Sequence, residues 1–123
     1  MGTARLIPKA RLANLYPKEY DPDMIDCERS RAFADWLDSL KDTIGKARII
    51  ARLRAAEHGS FGDCEPVGSA VHEMRVHYGP GYRVYFTRRG EVVYLLLVGG
   101  DKSTQRRDIK RAVQMAQNIG NEE

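Results

Sequence analysis

Residues 92–98 read Val-Val-Tyr-Leu-Leu-Leu-Val, the most continuously apolar stretch of the chain. A run this short, apolar on both faces, suits a strand in the middle of a covered sheet. Its neighbours outline that sheet. Across Val71–Tyr78, Met74, Val76 and Tyr78 alternate with Glu73, Arg75 and His77, which is the period of a half-buried strand. Gly79-Pro80-Gly81 forms a turn. Alternation then resumes, with Tyr82, Val84 and Phe86 on one face and Arg83, Tyr85 and Thr87 on the other. Arg89-Gly90 is the next tight turn, so an antiparallel meander leads into the apolar strand.

The flanking segments change to a helical period. Phe33, Trp36, Leu37, Leu40 and Ile44 fall at i, i+3, i+4, i+7 and i+11, with Ser30 as the N-cap. Lys41-Asp42-Thr43 allows a break. Ala47, Ile50, Leu53 and Ala56 then stripe a second helix ending near His58-Gly59, whose outer face carries Lys46, Arg48, Arg52 and Arg54. HGSFGD at 58–63 is a loop. Ser103 or Thr104 caps a last helix, Gln105–Ile119, with Ile109, Ala112, Val113 and Ala116 inward and Gly120 at its end. MIDCERS, from Met24, reads as a first strand. The expectation is an α+β domain over residues 24–120, with an N-terminal helical hairpin and a C-terminal helix packed on a small antiparallel sheet. Residues 1–23, with three prolines and no sustained period, read as a flexible extension.

Register decides where the charges go. A three-residue loop at 79–81 pairs Tyr78 with Tyr82, His77 with Arg83 and Arg75 with Tyr85. A one-residue slip would put Arg75 over the core, so burial selects this pairing. A two-residue turn at Arg89-Gly90 pairs Phe86 with Val93 and Val84 with Leu95, and places Tyr94 beside Tyr85 and Arg83. Glu73, Arg75, His77, Arg83, Tyr85 and Tyr94 then share the face away from the helical hairpin, with Lys102 close by. Residues 69–111 hold nine Lys and Arg against four acids. Guanidinium forks and flat phenols on one face suit phosphates and bases. A solvated strand face with Glu73–Arg75 pairing is the plainer account of the same residues.

Composition removes other classes. Cys27 and Cys64 lie far apart with no CxxC or metal spacing, as in reduced thiols of a cytoplasmic protein. The N-terminus has no apolar signal-peptide core, and the longest apolar run is well below bilayer length, so a soluble protein without membrane contact is expected. No metal and no cofactor is expected.

The ordered segments FADWLDSL, GD at 62–63, HEMRV, YGPGYRVYF and VVYLLLVGGDKSTQRRDIKRA resemble the RelE/ParE toxin superfamily. More narrowly, they resemble the HigB-like, phage-derived addiction-module killer proteins of type II toxin–antitoxin systems. The resemblance spans about residues 24–117. It implies a RelE-like fold and an mRNA interferase, an endoribonuclease commonly acting in the ribosomal A site. It also implies a co-encoded antitoxin, expected as a helix-turn-helix protein from the adjacent gene. The branch's basic positions fall on Arg75, Arg83 and Lys102. His77 and Glu73 are candidate bases, and Tyr85, Tyr94, Arg88 and Arg106 candidate RNA contacts. Glu73 stands where relatives carry a second lysine, and the last helix lacks their late tyrosine. Two other readings accompany this one: a ParE-like, non-enzymatic inhibitor of DNA gyrase, and an inactive toxin-derived module that acts only in regulation.

Overall fold

The computed structural model describes residues 24–90 and 93–122. The expected amino-terminal extension, and Val92 of the apolar run, lie outside these residues. In chain order the elements are β1 (Asp26–Arg29), α1 (Arg31–Ser39), α2 (Thr43–Glu57), β2 (Cys64–Gly68), β3 (Val71–Val76), β4 (Tyr82–Arg89), β5 (Val93–Asp101), a 3-10 turn (Lys102–Thr104) and α3 (Gln105–Glu122). The strands form one sheet in the order β1-β5-β4-β3-β2. The meander β2 to β5 is antiparallel, but β1 runs parallel to β5, so the sheet is mixed rather than antiparallel throughout. Leu95, Leu96, Leu97 and Val98 are all buried, as a strand with neighbours on both sides and cover on both faces requires.

Two cores result. On one face Phe33 and Leu37 of α1, with Ile49, Leu53 and Ala56 of α2, meet Met74, Val76, Tyr82, Val84, Phe86 and Leu96. On the other face Val71, Tyr85, Leu95, Leu97 and Val98 pack against Ala112, Ile109 and Val113 of α3. The face expected to stand open is therefore covered by α3 over most of its area. That helix also continues past Gly120 to Glu122.

The helix starts follow capping chemistry. Ser30 Oγ accepts from Phe33 N at 3.0 Å and donates to the Leu97 carbonyl at 2.6 Å, tying α1 to the central strand. Leu40 is extended and ends α1, and Asp42 then caps α2 by accepting from Gly45 N at 2.9 Å. This break resets the helical phase. Ile44, expected on the buried stripe, is 56% exposed, Ala47 is exposed and Ile50 only half-buried; the α2 core stripe is Gly45, Ile49, Leu53 and Ala56.

Register departs from expectation at both hairpins, with opposite consequences. Val76 pairs with Tyr82, Arg75 with Arg83, Met74 with Val84 and Glu73 with Tyr85, so the connection is longer than 79–81. That offset is two residues, and every side chain keeps its face. At the next turn Arg89 pairs with Val93, Thr87 with Leu95 and Phe86 with Leu96, an odd offset from the expected pairing. The faces of β5 are exchanged. Leu95 lies under α3, and Tyr94 joins Phe61 and Phe86 on the helical-hairpin side, with ring centroids 4.8 and 5.8 Å away. A bulge follows, because Tyr85 pairs with Val98 and leaves Leu97 as the extra residue.

Gly99 is set by this packing. A Cβ there would sit 2.0 Å from the Trp36 ring. Gly99→Ala is expected to cost about 1–3 kcal/mol through overpacking. A lowered thermal midpoint for that variant checks the α1–β5 seam.

Candidate functional site

The end of the sheet where β3 stops, β4 starts and β5 leaves for α3 gathers most of the candidate residues. Arg75 and Arg83 face each other across the β3–β4 pair, and Arg83 is in turn opposite Gly100 of β5. Two like charges opposite one another repel unless countered. The counter-charge is Glu73, only 1% exposed, one alternation back on β3. Its Oε1 accepts from Arg75 Nε at 3.2 Å, and its Oε2 accepts from the Tyr85 hydroxyl at 2.9 Å and Gln105 Nε2 at 2.8 Å. Arg83 Nε lies 3.6 Å from the same Oε2, sealed from solvent and with no hydrogen-bond partner among the described residues.

The protonation of this cluster follows from its surroundings. Burial by itself would raise the Glu73 pKa, but hydrogen bonds from Gln105, Tyr85 and Arg75 and the charge of Arg83 outweigh it. The carboxyl is held below its ordinary value. Burial, then the bond to Glu73, pushes the Tyr85 phenol far up, so it stays a neutral donor. Tyr85 is fully buried and offers no face for stacking. Glu73 is an ionised, enclosed counter-ion, a poor position from which to take a substrate proton.

Arg83 is 13% exposed and points its fork to the hairpin mouth, where Nη1 donates to the Gly81 carbonyl at 2.7 Å. A Cβ placed on Gly81 would lie 3.0 Å from that Nη1 and 3.6 Å from Lys102 Cβ. The guanidinium and the lysine stem thus flank one glycine, whose φ of +80° suits that residue alone. Arg75 is more heavily neutralised, with Asp63 Oδ1 at 3.7 Å and a close contact to Glu65 in addition to Glu73. His77 lies beyond the end of β3, 73% exposed, with Nε2 2.6 Å from Asp63 Oδ2.

The remaining candidates are spread out. Arg106 is exposed in the first turn of α3, where Ser103, Thr104, Arg107 and Lys110 line a shallow concavity with it. Arg88 sits five residues along β4 from Arg83, roughly 16 Å away at strand rise, and donates to the Gly90 carbonyl at 2.9 Å. Tyr94, for the register reason given above, is on the opposite face from Arg83.

The Gp49-like family model, described as "Phage derived protein Gp49-like (DUF891)", matches residues 35–119 and so contains the whole cluster. The chain belongs to this family. An uncharacterized protein of Haemophilus influenzae is 43% identical over 96 residues, covering 78% of this chain and 97% of the relative. No solved structure matches the chain. Among the described residues no helix is long and apolar enough to cross a membrane.

Two residues of this Gp49-like site escape sequence reasoning. Gln105 reaches Glu73 only because α3 covers that face of the sheet. Asp63 sits in a loop without periodicity, and the one sign of it in the sequence was the Gly62-Asp63 pair in the ordered motifs.

Proposed function

We propose that this Gp49-like chain is the toxin of a type II toxin–antitoxin module, akin to the HigB-like branch of the RelE/ParE superfamily, and that it cleaves mRNA. The observation that carries the reading is Arg83, whose back is braced by a buried carboxylate and whose fork lies at Gly81, the glycine that the Lys102 stem also flanks. A cation fixed before substrate arrives is what a phosphoryl transition state needs, because no reorganisation is then required as charge builds.

The reaction is an internal transesterification. The RNA 2′-oxygen bonds to the adjacent phosphorus and the bond from phosphorus to the 5′-oxygen breaks, giving a 2′,3′-cyclic phosphate and a 5′-hydroxyl. His77 takes the 2′-hydroxyl proton, and Lys102 or solvent supplies one to the leaving oxygen. Arg83 and Lys102 hold the non-bridging oxygens. Arg75 sets the spacing and joins them as its carboxylate partners yield. Arg106 and its basic neighbours on α3 lead the strand in. The inhibitory partner would be an antitoxin that presents carboxylates to this mouth.

Inducing the protein and mapping RNA 5′ ends tests the reading. New 5′-hydroxyl ends within coding regions are expected soon after induction. Intact transcripts with an induced DNA-damage response would replace this function with gyrase inhibition. Harmless overexpression without antitoxin would leave a regulatory binding module.

A further inference from the structure

Resting on the ribonuclease reading, we infer that Asp63 is the positioning residue for His77, holding the imidazole proton on Nε2 and leaving Nδ1 to accept the 2′-hydroxyl proton. An exposed histidine on a loop has two tautomers and a freely turning ring, and a general base needs one of each. The 2.6 Å contact between Nε2 and Asp63 Oδ2 selects both.

Asp63 is itself held in place. Its carbonyl accepts from Arg75 N at 2.9 Å, and Arg52 donates to the carbonyls of Phe61, at 2.8 Å, and Arg75. Arg52 also fills the space beside Gly62, where φ is +67° and a Cβ would meet the guanidinium at 2.7 Å. The loop is thus clamped to β3 on both sides of the carboxylate, as a supporting shell must be. The Asp63 carboxyl is held below its usual range, first by the His77 hydrogen bond and, against some desolvation, by the charges of Arg75, His77 and Arg52.

Purified wild type, Asp63→Asn and His77→Ala are compared by cleavage of an RNA oligonucleotide and by 15N chemical shifts of the imidazole. Expected for the wild type is the Nε2–H tautomer. In Asp63→Asn the tautomer preference is lost and kcat/KM falls at least tenfold. His77→Ala lowers the rate by about 10²–10⁴-fold. A folded Asp63→Asn with the wild-type tautomer and rate, or His77→Ala with undiminished cleavage, overturns the inference while the ribonuclease reading stands. A wild type that cleaves no RNA overturns both. Loss of the folded spectrum in Asp63→Asn, with Asp63→Glu failing to restore the tautomer, assigns Asp63 to the loop clamp and also overturns the inference.

Discussion

If the chain is the ribonuclease proposed above, Arg83→Ala is expected to keep the fold and to lose about 10²–10³-fold in RNA cleavage, the scale of deleting one preorganised donor from a charged transition state. The fold persists because Glu73 retains three donors without Arg83, from Arg75, Tyr85 and Gln105. Arg83→Lys is not a conservative repair. An ammonium on a flexible stem cannot keep a nitrogen beside Glu73 Oε2 while offering a fork at Gly81, so most of the loss remains. Arg88→Ala is the internal control. It changes the same charge on the same strand, roughly 16 Å away, and its rate stays within a few-fold of wild type. Single-turnover cleavage by purified variants, with circular dichroism to confirm folding, decides the matter. A folded Arg83→Ala that cleaves normally removes Arg83 from the site.

The sequence carried information where side chains differ between faces and little where they do not. Across 71–76 and 82–87, polar and apolar residues alternate, so even a register wrong by two kept Arg75 and Arg83 together. In the strand 93–98 nearly every residue is apolar, and a slip there changes no hydropathy. The exchange of Tyr94 for Leu95, and the bulge at Leu97, were invisible for that reason. A strand apolar on both faces did demand two covers, and the stripe Ile109, Ala112, Val113, Ala116 was the second. Beneath that second cover Tyr85 is enclosed. The phase of α2 failed differently, because Asp42 restarts the helix and a stripe continued from α1 no longer applies. Asp63 follows no periodicity, and only the folded loop places it against His77.

Glu73→Gln is expected to damage stability more than loss of either arginine does. Glu73 is 1% exposed and is the carboxylate next to both guanidiniums, and a neutral amide in its place would leave Arg83 Nε enclosed with no counter-charge. Breaking a buried pair by removing one partner costs about 3–5 kcal/mol, and the partial exposure of the Arg83 fork puts this variant toward the lower end. Arg83→Met leaves Glu73 with Arg75 and two neutral donors, and costs less. The double variant Glu73→Gln, Arg83→Met is expected to recover part of the loss, and a double-mutant cycle in chemical denaturation reads that recovery as the coupling. Acid gives an independent check. The folded Glu73 pKa lies below its ordinary value of 4.5, so on acidification the unfolded chain takes up this proton first. The stabilisation is complete above the unfolded value and is lost as pH falls through the folded one. Wild type therefore loses stability across that acidic window by an amount that Glu73→Gln does not. Equal acid sensitivity in the two proteins, or a Glu73→Gln variant as stable as Arg83→Met, would show that Glu73 does not hold the guanidiniums in place, and the preorganisation on which cleavage is argued would go with it.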